Sequence, residues 1–318
     1  MVLLGKILAK KTRTTPRAVA LRLNEISEST KHQSSAETVI TVPPFWGGFL
    51  LPKGTCAMKS NFANCLPFTL KYEGAYSSNR KDPGNWTGGK VGVGTFKGTK
   101  YGIAAHSYPH LDIKNLTLDD VKPIYEKNYW RPIQGDSLPL GIDLATFDSG
   151  VMSGPARGAK WLQAALGVKQ DGVVGSNTLA KARVSDATDI VKKICAKRTG
   201  FVQSLKTFVT FGKGWTTRIA ACEAQALKMV VVATSTAAAA KVVLQTEAKT
   251  ASTKAKQQAS GAAATGAGGT GSYAVSDQVA HWITAGVIIG AVALVVYLVW
   301  RSHVNKTRSD AFTFEAAV

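Results

Sequence analysis

Apolar and polar positions divide the chain of 318 residues into parts of different composition. Residues 58–232 carry apolar positions at three- and four-residue spacing, which predicts a folded, helical region. Residues 233–278 are a low-complexity run of Ala, Thr, Gly, Lys and Ser, which is typical of a linker, and the Ala-rich first half of this run could be partly helical. Residues 1–57 lack sustained periodicity, so we interpret them as a basic, flexible N-terminal extension or as a start assigned upstream of Met58. The pattern predicts a mainly α protein.

The longest apolar run lies close to the C-terminus. No Asp, Glu, Lys or Arg occurs in residues 278–300, and aromatic residues lie near both ends of this run. About 20 apolar residues cross the ~30 Å hydrocarbon core of a bilayer, and aromatic residues favour its interfaces. We therefore predict a transmembrane helix over residues 279–300, followed by a short tail over residues 301–318.

The orientation of this helix stays open from the sequence. Arg301, Lys306 and Arg308 follow the span, and the positive-inside rule places such a flank in the cytoplasm. No export signal is recognisable ahead of the folded region, because lysines interrupt the apolar start of the chain. A single-pass helix with a cytoplasmic tail would nevertheless place the folded region on the far side of the membrane.

Composition indicates the class of partner. The chain has 39 Lys and Arg residues against 20 Asp and Glu residues, a net charge of +19, and +11 of it lies in residues 58–232. This surplus predicts an anionic partner, which is nucleic acid, a membrane surface or an acidic polymer. No compact basic and aromatic motif favours nucleic acid. Four cysteines without a Cys-x-x-Cys pair exclude a disulfide scaffold, and His106 and His110 lack a third ligand, so we expect no metal or other cofactor.

Glu73 is the most promising acidic side chain in the folded region. Apolar residues recur at helical spacing from Phe62, and Pro67 fits best in a first turn, so we predict a helix from about Ala63 to Glu73, stopped by Gly74. Partial burial and the negative end of the helix dipole would both raise the pKa of Glu73. A general acid for glycosidic cleavage requires such a protonated carboxyl group. An ordinary exposed glutamate at a helix end is the alternative.

If Glu73 serves glycosidic cleavage, the reaction normally needs a second carboxylate, and three aspartates are candidates. Asp82 precedes Pro-Gly, where an aspartate also commonly caps a turn, and Asp148 follows an apolar run, where it could instead anchor a helix. Asp143 is the third. We take Asp82 as the assisting carboxylate and Asp148 as a substrate contact. The aromatic residues that could stack on sugar rings, or belong to the core, are Tyr76, Trp86 and Tyr101.

Four short segments follow one another in the first half of the folded region. They are Lys-Tyr-Glu-Gly-Ala-Tyr at 71–76, Lys-Asp-Pro-Gly at 81–84, Thr-Lys-Tyr-Gly-Ile at 99–103 and Leu-Pro-Leu-Gly-Ile-Asp at 138–143. This series resembles the glycoside hydrolase 108 family over about residues 62–155. The resemblance implies a lysozyme-like helical domain over residues 58–155, with N-acetylmuramidase activity and Glu73 as the catalytic acid. The family usually has Thr at Ala104 and Asn at Met152, so an impaired, membrane-tethered peptidoglycan-binding protein is an alternative.

A second series follows directly. It consists of Trp-Leu-Gln-Ala-Ala-Leu-Gly at 161–167, Asp-Gly-Val-Val-Gly at 171–175 and Thr-Leu at 178–179. It is similar to the peptidoglycan-binding repeat that follows the catalytic domain in such muramidases. We therefore predict a small helical peptidoglycan-binding domain over residues 156–232. A helical bundle that only packs against the catalytic domain is the alternative.

The two resemblances together imply a peptidoglycan hydrolase that cleaves between N-acetylmuramic acid and N-acetylglucosamine, with the glycan strands as its partner. Host lysis of the phage type, with a holin-like partner, is the expected setting, and a muramidase that assists protein secretion is the alternative. The apolar helix implies a single-pass protein of the bacterial inner membrane that acts on the cell wall. Nucleic acid is not an expected partner.

Overall fold

The computed structural model describes residues 61–267 and 278–318, with side chains for residues 61–265 and 288–318. The predicted N-terminal extension lies outside the described residues. The described chain is mainly helical, which confirms the predicted fold class. Its helices are α1 (Asn61–Glu73), α2 (Leu118–Tyr125), α3 (Ile142–Ser153), α4 (Pro155–Leu166), α5 (Ser176–Val184), α6 (Ala187–Gln203), α7 (Phe208–Thr234), α8 (Ala237–Ala267) and α9 (Gln278–Ala317). Two short antiparallel strands form a hairpin, β1 (Thr99–Lys100) and β2 (Ile103–Ala104).

A local signal explains the start of helix α2. At the start of α2 the Thr117 hydroxyl accepts a hydrogen bond from Asp120 N at 3.3 Å. Asp120 Oδ2 in turn accepts one from Thr117 N at 2.8 Å, which completes a capping box. Helix α1 is already helical at Asn61, ahead of the start predicted near Ala63. Pro67 therefore lies inside α1, and the prediction that it occupies the first turn is wrong.

Helix α3 lies at the centre of the fold. Its Phe147 has no exposed surface, and α1, α4, α6 and α7 all pack against this helix. Ile194 of α6 and Trp215 of α7 belong to the same buried cluster as Phe147. The described residues on both sides of the predicted boundary at residue 155 therefore share one core, as in the packing alternative. We call residues 61–234 the helical body.

Helices α8 and α9 form an antiparallel pair where the sequence analysis placed a linker over residues 233–278. Ser302 Oγ of α9 donates a hydrogen bond to the Ala255 carbonyl at 2.8 Å, and Ser309 Oγ donates one to the Ala248 carbonyl at 3.0 Å. The buried face of α8 consists of Ala240, Leu244, Ala248, Ala251, Ala255 and Ala262. Small side chains at four- and three-residue spacing let two helix backbones approach closely. The structure therefore has a packed helix over Ala237–Ala267 in place of the predicted linker, and it agrees with the alternative that the Ala-rich first half is helical.

The predicted tail, residues 301–318, is instead the second half of α9 and packs against the helical body. Phe312 is fully buried and belongs to the common core. Arg308 donates to both carboxylate oxygens of Glu223 in α7, with N–O distances of 2.5 and 2.9 Å. Residues 301–317 are thus an integral part of the folded structure.

The first half of α9 has a different environment. Its large apolar side chains between Ile288 and Val299 are mostly exposed. The helical segment Ile288–Ala317 is long and apolar enough to cross a membrane. A single continuous helix therefore combines an exposed apolar half with a half that is packed against the body.

Candidate active site

Asp148 lies at the centre of a buried network of ion pairs. Its carboxylate has no exposed surface and accepts hydrogen bonds from Arg218 Nη2 and Arg198 Nη2, each at 2.7 Å. Thr69 Oγ1 donates another at 3.1 Å. Burial alone would raise the pKa of Asp148, but the two guanidinium groups lower it to about 2. The prediction that Asp148 contacts substrate is wrong for this structure, because a fully buried carboxylate cannot touch a sugar.

Arg218 extends this network to Glu73. Its Nη1 atom lies 2.6 Å from Glu73 Oε1, while its Nε and Nη2 atoms bind Asp148. The Arg218 side chain is 1% exposed and the Glu73 side chain is 13% exposed. Glu73 therefore has a partly exposed carboxylate at the end of α1, and this carboxylate is bound from the interior by the buried Arg218.

Neither arginine was a site candidate from the sequence. Arg218 lies on the buried face of α7, next to Trp215 and Ile219. Arg198 likewise lies on the buried face of α6, with Ile194 one turn before it. A single arginine within an apolar helical face was the available signal, since such a charge requires a buried partner.

The β1–β2 hairpin places a glycine against the Glu73 carboxylate. Tyr101 and Gly102 have positive φ angles of 50° and 72°, as in a tight two-residue hairpin turn. A Cβ atom added to Gly102 would lie 3.2 Å from Glu73 Oε2 and 2.9 Å from the Tyr125 hydroxyl. Glycine therefore permits this close approach. Positive φ at the non-glycine residue Tyr101 is uncommon, and such strain is concentrated at functional sites.

Two further tyrosines that the sequence analysis missed lie beside Glu73. Tyr125 donates a hydrogen bond to the Tyr101 carbonyl at 2.9 Å, and its ring centroid lies 5.3 Å from that of Tyr129. Burial raises the pKa of Tyr129, and the negative charge of Glu73 raises it further. The four-residue spacing of these tyrosines was the signal in the sequence.

The predicted aromatic residues have structural partners of their own. Tyr76 donates a hydrogen bond to the Lys97 carbonyl at 3.2 Å. Trp86 Nε1 donates one to the Arg80 carbonyl at 2.9 Å, and its ring packs against Phe96. Tyr101 lines a cavity of about 430 Å³ between α1 and α2. Of these three aromatic residues, Tyr101 belongs to the turn that reaches Glu73.

Asp82 caps the short helical turn Pro83–Asn85. Its Oδ1 atom accepts a hydrogen bond from Gly84 N at 2.8 Å, as the turn-capping alternative predicts. A backbone hydrogen bond connects this turn to the segment that leads into β1. In it, Gly98 N donates to the Asn85 carbonyl at 3.1 Å. Asp82 is half-buried, so its carboxylate is still partly accessible to solvent.

Asp143 is buried in the first turn of α3 and is 1% exposed. It accepts hydrogen bonds from the Asn61 side chain and from Leu144 N. Burial raises the pKa of Asp143 to about 7, although these hydrogen bonds oppose the increase. Asp143 is therefore shielded from solvent. In the buried ion-pair network, Glu73 is the carboxylate that is partly exposed.

Ala104 and Met152, where the family usually has polar residues, are both 6% exposed. The Met152 sulfur lies 3.5 Å from Arg198 Nη2. Within the part of the chain that the structure describes, Arg198 Nε and Nη1 are buried without a hydrogen-bond partner. An asparagine at position 152 would offer an oxygen to this guanidinium. The change to methionine therefore alters the interior of the network and not a surface that a sugar could reach.

The chain is similar to known proteins over part of its length. Residues 66–154, which include Glu73 and Asp148, match the family described as Glycosyl hydrolase 108. The chain belongs to the glycosyl hydrolase 108 family through this segment, and the segment is a glycoside hydrolase domain. The chain is also similar to a solved structure of SagA from Brucella abortus, with 38% identity over 54% of this chain and 97% of that chain, and a TM-score of 0.46. No curated protein matches the chain.

The buried aspartates of α3 predict opposite effects of pH on stability. Asp148 has a folded-state pKa of about 2, below its ordinary 3.8, so its stabilisation is complete above about pH 4 and is lost as pH falls through 2. Asp143 has a folded-state pKa of about 7, so its contribution is complete below about pH 4 and is lost as pH rises to 7. We expect Asp143→Asn to leave stability unchanged at pH 4 and to raise it by about 2–4 kcal/mol at pH 7.

Urea unfolding at pH 4 and pH 7 measures these effects. Asp148→Asn is the matched comparison on the same helix, and we expect it to lower the free energy of unfolding by about 3–5 kcal/mol at pH 7, because it leaves two buried arginines without their anion. A loss of stability in Asp143→Asn at pH 7, or a gain of the same size at both pH values, would contradict this account.

Proposed function

We propose that this protein is a peptidoglycan hydrolase, a lysozyme-like N-acetylmuramidase that uses Glu73 as its general acid. The observation that carries the proposal is the geometry at Glu73. One carboxylate oxygen is held by the buried Arg218, and the other faces the β1–β2 turn near the surface. The family match supports a glycoside hydrolase, and the basic character of residues 58–232 suits an anionic wall polymer.

In the proposed mechanism Glu73 protonates the glycosidic oxygen between N-acetylmuramic acid and N-acetylglucosamine. Because Oε1 accepts the hydrogen bond from Arg218, Oε2 is the oxygen that would face the glycosidic oxygen. Departure of the leaving sugar produces an oxocarbenium-like transition state, and Asp82 assists by stabilising it or by activating water. Tyr101, in the turn beside Glu73, and Tyr129, whose ring packs near Tyr125, offer ring surfaces for the sugars.

We propose that residues 156–232 form part of the helical body that carries the active site. Gln163 Nε2 donates to Asp171 Oδ1 at 2.7 Å, and Gln163 Oε1 accepts from Gly172 N at 2.8 Å. Gln163, Asp171 and Gly172 belong to the motif that resembles the peptidoglycan-binding repeat. They are hydrogen-bonded to one another at the turn after α4. The same region supplies Arg198 and Arg218 to the buried network. We infer that it completes the active site, whether or not it also binds the wall.

We further propose that the protein acts at the bacterial inner membrane in lysis of the phage type, together with a holin-like partner. The exposed apolar half of α9 supports the membrane attachment. Assistance to protein secretion is the alternative setting for the same chemistry. The impaired wall-binding protein is less well supported, because Ala104 and Met152 are both buried.

Replacement of Glu73 tests the catalytic role. We expect Glu73→Gln to slow clearing of purified peptidoglycan by about 100-fold or more, because an amide cannot donate the proton. Glu126→Gln is the matched control, since Glu126 forms an ion pair with the exposed Arg131 at 2.9 Å and should keep full activity. Clearing by Glu73→Gln at the rate of Glu126→Gln would contradict the assigned role. A wild-type chain that pellets with the wall but clears nothing would favour the wall-binding protein.

Two replacements of Asp82 separate its capping role from its chemistry. Asparagine keeps an oxygen that can accept from Gly84 N, so we expect Asp82→Asn to retain the melting temperature and to lose about 10-fold or more of the clearing rate. Asp82→Ala should lose the same activity and about 0.5–2 kcal/mol of stability as well. If Asp82→Asn clears peptidoglycan at the wild-type rate, Asp82 is only a turn cap.

A further inference from the structure

A cavity of about 890 Å³ lies where helices α1, α7 and α9 meet. Helix α1 contributes the rings of Phe68 and Tyr72, and α9 contributes Phe314, which is 58% exposed. The Lys71 ammonium lies 5.8 Å from the Phe314 ring, so α1 and α9 contact each other beside the cavity. The second half of α9 therefore forms one wall of a pocket on the helical body.

This wall lies outside the part of the chain that matches the family. The matched segment is residues 66–154, which includes most of α1 but neither α7 nor α9. His303, Lys306 and Phe314 of α9 all line the cavity. The packing of α9 on the body therefore adds a pocket to this chain that the family match does not account for.

Basic side chains predominate among the charged groups that line the cavity. Each of the three helices contributes one exposed lysine: Lys71, Lys213 and Lys306. Two carboxylates, of Asp310 and Glu315, also line it, and Lys228 already pairs with Glu315 at an N–O distance of 3.4 Å. The lining therefore has a surplus of positive charge, which suits an anionic ligand.

Tyr72 connects the cavity to the proposed catalytic acid. It precedes Glu73 in α1, and the Arg218 guanidinium lies 5.6 Å from its ring. The same guanidinium binds Glu73 Oε1 at 2.6 Å. Lys71 lines both this cavity and the cavity of about 430 Å³ that Tyr101 lines. The larger cavity is therefore next to the site of the proposed cleavage.

We propose that this cavity binds the acidic stem peptide that N-acetylmuramic acid carries in peptidoglycan. The inference deepens the proposed hydrolase function and rests on it. The sugar backbone of peptidoglycan is uncharged, and its negative charge lies on the carboxylates of these peptides. The lysines of the cavity pair with those carboxylates, and its ring surfaces pack against the aliphatic parts of the peptide.

The chemistry of the polymer brings the peptide to this place. A lactyl group joins the peptide to N-acetylmuramic acid, the sugar whose glycosidic bond is the proposed target of Glu73. An extended peptide spans about 3.3 Å per residue, so a few residues cover on the order of 10 Å. Tyr72, which lines the cavity, is the chain neighbour of Glu73. A peptide that starts at the point of cleavage is therefore long enough to enter the cavity.

Binding of three soluble fragments to the full-length chain in detergent tests the proposal. The first is the disaccharide of N-acetylglucosamine and N-acetylmuramic acid, with the latter at its reducing end. The second is the same disaccharide with its tetrapeptide, and the third has the carboxylates of that peptide amidated. None contains the bond that the proposed hydrolase would cleave, so isothermal titration calorimetry measures binding alone.

We expect the wild-type chain to bind the tetrapeptide fragment about 10-fold more tightly than the bare disaccharide, and amidation to remove most of this preference. The double variant Lys213→Ala, Lys306→Ala should reduce the preference to about twofold or less, because two cations of the cavity are lost. The matched control is Lys181→Ala, Lys249→Ala, which removes two exposed lysines of α5 and α8 from outside the described lining and should keep the preference. Melting temperatures establish that both double variants are folded.

Equal affinity of the wild-type chain for the tetrapeptide fragment and the bare disaccharide would overturn the proposal. An unchanged preference in Lys213→Ala, Lys306→Ala would overturn it too, as would full affinity for the amidated fragment. Clearing of peptidoglycan by the same wild-type preparation separates the two proposals. A chain that prefers the tetrapeptide fragment but clears nothing would support the peptide site and contradict the hydrolase, whereas clearing without the preference would contradict the peptide site alone.

Discussion

The carboxylate of Asp148 lies in the interior between two guanidinium groups, and burial of such charges costs several kcal/mol per ion unless the pairing is close. This requirement brings helices α3, α6 and α7 to one place, since each contributes one charged group. Arg218 also binds Glu73, so the same requirement fixes the end of α1. The orientation of the proposed acid is therefore a consequence of the buried charge pairing and not of α1 alone.

The network also explains why residues on both sides of position 155 form one body. The side chains that meet at Asp148 and Glu73 are separated by 50, 70 and 145 residues along the chain. A catalytic domain that ended near residue 155 would keep Glu73 and Asp148 but would lose both arginines. We therefore regard the helices after α3 as part of the proposed active site.

The sequence was informative wherever a short segment determines the structure. The helical class, the end of α1 at Glu73 and the family segments all depend on residues close together in the chain. The roles of Asp148, Arg198 and Arg218 depend on contacts between distant segments, which local spacing does not reveal. The linker prediction failed for a different reason. It rested on the composition of residues 233–278, whereas their structure depends on alanines spaced to meet another helix.

Helix α9 connects an exposed apolar segment to the buried core of the helical body. Its second half contributes Phe312 to the core, and its first half exposes apolar side chains. Because the helix is continuous, the position of the helical body relative to those side chains is fixed by a rigid connection. A hydrolase attached in this way would be held at a set distance from a membrane surface, in contrast to one on a flexible linker.

The most direct test of the central claim compares Arg218→Lys with Arg198→Lys, with the rate of peptidoglycan clearing expressed per folded molecule. Both changes leave a positive charge beside Asp148, but a lysine at position 218 cannot bind Asp148 and Glu73 together. The account predicts about a 100-fold slower rate for Arg218→Lys, because Glu73 loses its orientation, and a rate near that of the wild type for Arg198→Lys. Equal rates for the two variants would contradict it.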